Sequence, residues 1–148
     1  MRLSQTVVYA VHAVLRLAEV SPGTLVSCKE LAEKSHMPER YLLQILRDLS
    51  KKGILSSTRG GNGGFVLQRR PNEITLLEAI EAIDGPLVAS LPMKSGFPDP
   101  AGERVQAALQ SIAESVRSRL DAVKFSDLTE APADENSPSK KPKKKGKG

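Results

Sequence analysis

The segment Ser57–Arg70, STRGGNGGFVLQRR, constrains the fold more than any other part of the chain, because four of the five residues from 60 to 64 are glycine. Runs rich in β-branched and aliphatic residues flank them, ILSST before and FVLQR after. Glycine supplies the positive φ angles that a hairpin tip demands. The loop therefore reads as the tip of a β-hairpin, with Ser57, Thr58, Arg59, Gly60, Gly61, Asn62, Gly63 and Gly64 at its end. A phosphate cradle is the competing reading, since glycine-rich backbone exposes N–H groups to anions. But a P-loop needs Gly-Lys followed by Ser or Thr at the start of a helix, and a dinucleotide fingerprint also opens a helix. This loop opens a strand at Phe65.

Three helices are expected before the hairpin. The first runs from Ser4 to Glu19, because Leu3, Val7, Val11, Val14, Leu15 and Ala18 recur at three- and four-residue steps and form one apolar stripe. Ser-Pro-Gly at 21–23 then stops it. Ser27 and Glu30 have the spacing of a reciprocal capping box for a short helix near Cys28 to Lys34, which buries Leu31 and Ala32. The third helix has Pro38 at its first position, Glu39 at the positive end of the dipole and Gly53 as a left-handed cap. Within it, Tyr41, Leu42, Ile45, Leu46 and Leu49 follow the core-facing pattern, which leaves Arg40, Leu43, Gln44, Arg47 and Lys51 on the opposite face. Alone, such a face is ordinarily a solvated surface. Joined to the second helix by the short Ser-His-Met connection, it has the layout of a helix-turn-helix.

Helix, turn, helix and β-hairpin in that order describe a mainly α winged helix-turn-helix with a two-stranded wing. The third helix would lie in the major groove of DNA. Arg59, at the base of the wing tip, is placed to enter a narrow, electronegative minor groove.

Charge supports a polyanionic partner once it is divided along the chain. Residues 1–70 carry 11 basic and 5 acidic side chains (+6), residues 71–130 carry 5 and 10 (−5), and residues 131–148 carry 6 and 2 (+4). A basic half joined to an acidic half fits a chain in which one part meets DNA and another self-associates. The tail at 131–148, APADENSPSKKPKKKGKG, has no apolar cluster and is expected to be disordered, either as a solubilising tail or as a salt-sensitive attraction to phosphates. No run reaches the roughly 20 apolar residues of a membrane span, and the N-terminus lacks the continuous apolar segment of a signal peptide. A cytoplasmic protein with no membrane contact is expected. One cysteine and two histidines give no metal-ligand spacing, so no metal cofactor is expected.

The acidic half points to dimerisation. Thr75 and Glu78 have capping-box spacing for a short helix that buries Leu76, Ile80 and Ile83 and ends at Asp-Gly-Pro. A long helix is expected from about Gly102 to Lys124, with Val105, Leu109, Ile112, Val116, Leu120 and Val123 stepping mainly by three and four. At roughly 35 Å it would outreach its own small domain, and its partner is expected to be the same helix of a second subunit. Four regions follow: a DNA-binding domain at 1–86, a loop at 87–101, a dimerisation helix with a short terminal turn at 102–130, and the tail. No Ser-His-Asp set is present, and an enzyme is not expected.

MRLSQTVVYAVHAVLRLAE, RYLLQILRDLSKKGILSSTRGGNGGFVL and ITLLEAIEAIDGP resemble the opening helix, recognition helix plus wing, and following helix of the IscR, NsrR and CymR type of bacterial winged-helix regulators. The resemblance spans about residues 1–86 and continues weakly to Glu130. It implies a homodimeric transcription factor, most simply a repressor, on a partly palindromic operator. Arg40, Tyr41, Leu43 and Gln44 would lie at the DNA, with Arg59 in the minor groove. Two departures stand out. Leu43 is apolar where the iron-sulfur biogenesis regulator is polar, and could meet a thymine methyl. The cluster-binding members carry three cysteines after the Asp-Gly-Pro end, where this chain has none, so no iron-sulfur cluster is expected. Cys28 reads as an inert, partly buried thiol. Pro, Met and Phe between 87 and 99 suit either an effector site or a loosely packed loop. An architectural, weakly sequence-specific DNA-binding protein using the winged helix and the lysine tail is the alternative function; docking of the wing onto a protein is a third.

Overall fold

The computed structural model describes residues 1–89 and 99–129. The lysine-rich tail and most of the 87–101 loop lie outside the described residues. Among the described residues five helices and one hairpin follow in the order α1 (Gln5–Glu19), α2 (Cys28–Ser35), α3 (Glu39–Lys51), β1 (Leu55–Thr58), β2 (Gly64–Leu67), α4 (Leu76–Asp84) and α5 (Ala101–Asp121), with single 3-10 turns at Pro71–Glu73 and Phe125–Asp127. This is the mainly α winged helix-turn-helix expected from the sequence. No helix among the described residues is long and apolar enough to cross a membrane.

Side-chain caps set the starts of three helices. Ser4, Ser27 and Thr75 accept hydrogen bonds from the N–H groups of Val7, Glu30 and Glu78, satisfying donors that the helix leaves open. At Ser27 only half of the expected reciprocal box forms, because the Glu30 carboxylate turns outward to Lys34 at 2.9 Å. Pro38 sits one position earlier than expected, as the residue that caps α3, and its carbonyl accepts from the N–H groups of Tyr41 and Leu42. Gly53 takes the left-handed conformation at φ 74°.

The core is built around α1. Its buried face is Val7, Ala10, Ala13, Val14, Leu17 and Ala18, whereas Leu3 is exposed and Val11 and Leu15 are half-buried. The stripe is thus rotated from the one the large side chains suggest. Three alanines carry little hydropathy signal, and their small side chains suit close packing of α1 among its neighbours. Leu42, Ile45, Leu46 and Leu49 of α3 complete the floor with Leu31, Ile54, Leu55 and Ile74. Tyr41 is a correction: it is exposed, with its ring set edge-on to Tyr9 at 6.0 Å and its hydroxyl 3.0 Å from that of Thr6. A phenol retains a polar end that wants a partner, and the first turns of α1 provide one.

The Thr75 capping box joins α4 to the wing. Thr75 Oγ1 accepts from Glu78 N–H at 3.1 Å, Glu78 Oε2 accepts from Thr75 N–H at 2.9 Å, and Arg69 donates to Glu78 Oε1 at 2.7 Å. Burial pulls the Glu78 carboxyl upward, but the hydrogen bonds from Arg69 and Thr75 and the Arg69 charge outweigh it and hold the group below its ordinary range. This small contribution is present above the ordinary glutamate value of about 4.3 and is lost as pH falls through the folded value. Thr75→Ala is expected to cost about 1 kcal/mol, read as a lower urea midpoint with an unchanged denaturant slope.

The C-terminal segment differs most from expectation. The last helix ends at Asp121, so Val123 lies beyond it, where its carbonyl accepts from Leu76 N–H at 2.9 Å. Lys124 pairs with Thr75 as an antiparallel bridge, and Phe125 N–H donates to Ile74 at 3.0 Å. Phe125 is fully buried among the winged-helix core. The chain therefore returns from α5 to its N-terminal half, and one core serves both.

Candidate nucleic-acid interface

The hairpin is antiparallel, with Leu55 opposite Leu67 and Thr58 opposite Gly64. Gly60 has φ 117°, a conformation that side chains rarely adopt, and its carbonyl accepts from Gly63 N–H at 2.9 Å to close the tip. A Cβ on Gly64 would stand 2.7 Å from the Val26 carbonyl oxygen, because Val26 and Phe65 exchange both backbone hydrogen bonds. Val26 thus adds a third, one-residue edge to the sheet and anchors the wing to the segment before α2.

Between α3 and the wing runs an open cleft of about 550 Å³. Leu43, Arg47 and Lys51 form one side and Ser57, Thr58, Arg59 and Gly64 the other, with Ser50 and Phe65 added to what the sequence pattern picked out. Gly60, Gly61, Asn62 and Gly63 make the tip beyond it. Arg40, Tyr41 and Gln44 stand exposed toward the N-terminal end of α3, outside the cleft but continuous with its helix wall. Leu43 is half-buried and leans on the core, so only part of it is offered outward. Ser50, which the sequence pattern does not single out, donates its hydroxyl to the Leu46 carbonyl within the helix, at 2.8 Å.

An acidic residue sits in this basic face. Asp48 accepts from Gln44 at 3.1 Å and lies 3.8 Å from the Lys51 ammonium. Both contacts have helical spacing, four residues and three, and were readable as such. They are exposed and weak, so phosphate oxygens can replace the carboxylate at a cost of about 0–1 kcal/mol.

The lone cysteine faces away from redox or ligand chemistry. Cys28 Sγ donates to the Glu39 carbonyl at 3.5 Å, and burial, then the Glu39 charge, push its pKa up, which favours the thiol.

Farther from the wing, α5 has no buried residue among its 21. Val105, Leu109, Val116 and Leu120 are half-buried and Ile112 is 60% exposed. Polar contacts hold the helix to its own chain: Arg117 pairs with Glu81, and Gln106 donates to the Ala89 carbonyl at 2.8 Å.

Comparison with known proteins accounts for this arrangement. Residues 3–131 match the Rrf2 family, described as iron-dependent transcriptional regulators. An rrf2-like regulator of Rhodobacter capsulatus is 39% identical over 97 residues, 63% of each chain. A protein named as an HTH-type transcriptional regulator in Mycobacterium tuberculosis is 33% identical over 133 residues, covering 86% of this chain and 81% of its own. Among solved structures, CymR, the global cysteine regulator of Bacillus subtilis, superimposes with a TM-score of 0.71 at 26% identity, over 86% of this chain and 95% of that one. The IscR of T. potens gives 0.66 at 28% identity, over 86% and 85%.

The iron in that family description meets an unsuitable donor set here. Clusters are held by several thiolates, and the whole sequence has one cysteine, kept as a thiol on a backbone carbonyl. Among the described residues no three His, Cys, Asp or Glu side chains group to hold a metal, and residues 90–98 contain none of these types. These residues do not fit a resident iron-sulfur centre.

Proposed function

The chain belongs to the Rrf2 family of transcriptional regulators, and from that membership we propose that it is a cytoplasmic, cluster-free homodimeric repressor of a partly palindromic operator. The observation that carries this reading is the cleft in which Arg47 and Lys51 of α3 face Arg59 of the wing. A duplex seated there has α3 in its major groove and the wing on the adjoining minor groove. Arg40, Gln44 and Arg47 present donors to base edges and phosphates, Tyr41 and Leu43 offer apolar contact, and Lys51 meets the backbone. Residues 1–86 supply this surface. Val105, Leu109, Ile112, Val116 and Leu120 supply the contact with a second copy, leaving Val123 to the chain's own fold. Two-fold pairing sets recognition helices at half-sites about 34 Å apart or a multiple of that. A dimer on a promoter represses by excluding polymerase.

Titration of selected genomic fragments at several salt concentrations tests the reading. Arg59→Ala is expected to weaken operator binding by about 1–3 kcal/mol, and Lys51→Ala to lower the salt slope by about one. Unchanged binding in both variants would remove these surfaces from the interface. The six lysines of residues 131–148 favour one other reading, an architectural protein that holds DNA without sequence preference. A ratio near one between operator and random DNA would select it.

A further inference from the structure

A second cavity, of about 380 Å³, opens between the C-terminal end of α1 and strand β2 and shares no lining residue with the α3–wing cleft. Its volume lies within the range of about 300–1,000 Å³ typical of small-molecule sites. Leu17, Val20, Val66 and Leu67 give it an apolar wall, and all four are buried or half-buried.

The charges on its rim are unequal in their freedom. Arg69 is committed, donating to Glu78 at 2.7 Å and to the Glu73 carbonyl at 3.1 Å. Arg70 is exposed and forms no ion pair among the described residues, while Glu73 spends one carboxylate oxygen on the Arg70 backbone N–H at 3.1 Å. Of the two arginines that line the cavity, Arg70 is thus the one without an ion pair among the described residues, and a guanidinium beside an apolar wall suits bidentate capture of a carboxylate.

We propose that this cavity binds a small carboxylate with an apolar body, and that its occupancy shifts the wing. The carboxylate meets Arg70 and the body packs on Leu17, Val20, Val66 and Leu67. Val66 and Leu67 pair directly with Ser56 and Leu55, the start of the strand that leads to Arg59. Pressure on β2 is thereby transmitted to the hairpin. This second half rests on the reading of the wing as a DNA contact.

The test uses the full chain and three probes of one shape: 4-phenylbutyrate, its neutral amide and 4-phenylbutylamine, titrated by NMR without DNA. The carboxylate is expected to bind about ten-fold more tightly than the amide, as a charge-assisted hydrogen bond implies. Arg70→Ala should erase that preference, and Val20→Trp, which fills the cavity, should remove binding of both. Equal affinities, a preference that survives Arg70→Ala, or tighter binding of the amine through Glu73 would overturn the site. Saturating 4-phenylbutyrate should then change operator affinity by about three-fold or more in the unaltered chain and not in Arg70→Ala. Binding without that change would overturn the effector role alone. Because the first titration contains no DNA, its failure is distinct from failure of the DNA-binding assignment.

Discussion

Replacing Phe125 by alanine is expected to destabilise the chain by about 3–5 kcal/mol, among the larger costs of any single substitution. The ring is fully buried, and in sequence it follows α5, well after the residues whose core it completes. Its removal leaves a cavity lined by elements from both ends of the sequence. The neighbouring backbone is held by hydrogen bonds from Leu76 to Val123 and from Phe125 to Ile74, so it cannot collapse freely into the space. In a chain of this length the loss corresponds to a thermal midpoint lower by on the order of 10–20 °C. Leu128→Ala serves as control: Leu128 is 47% exposed, and its truncation should cost under about 0.5 kcal/mol. A Phe125→Ala penalty under about 1 kcal/mol in urea titration would show that the terminal turn is not part of the core.

Phe125 also marks where the sequence stops being informative. The helices, most of their caps and the hairpin were legible because each rests on local chemistry: Ser27 before Glu30, the Thr75–Glu78 box, Gly53 at positive φ, and glycines where a tip must close, whereas Ser4, expected as the first helical residue, is the cap of α1. Arg47 and Lys51 were legible as a surface because α3 has an unambiguous buried face, leaving the rest outward, and Arg59 because it stands beside the glycines of the tip. Contacts distant in sequence leave no such trace. Nothing near Phe125 announces that residues 74–76 will pair with 123–125, and nothing near Val26 announces that it will join the wing. Tyr41 was misplaced because periodicity counts its ring as apolar and is blind to the Thr6 hydroxyl that holds it outside. The cavity beside Arg70 was invisible for the same reason, since α1 and β2 meet only in three dimensions.

Ile112→Glu is expected to raise the dissociation constant of the proposed dimer by about a thousand-fold or more, while leaving the folded subunit intact. Glutamate is at least as good a helix former as isoleucine, and position 112 is 60% exposed within one subunit, so the monomer loses little packing. Residue 112 stands near the middle of the 21-residue α5. Two such helices crossing on a two-fold axis bring the position close to its own copy. Burying isoleucine contributes about 1.5–3 kcal/mol in each subunit, and the substitution replaces that gain with two like charges that repel and must shed water. Sedimentation equilibrium should show monomers at micromolar concentration, with helical content and thermal midpoint extrapolated to the monomer unchanged. Operator affinity should fall by about 10²–10⁴-fold, because each half-site is then bound alone, whereas affinity for a single half-site should stay the same. That pairing of results separates loss of the dimer from damage to the winged helix. A variant that remains dimeric would place the subunit contact elsewhere than on α5, and the half-buried apolar stripe with Ile112 at its centre would need another partner.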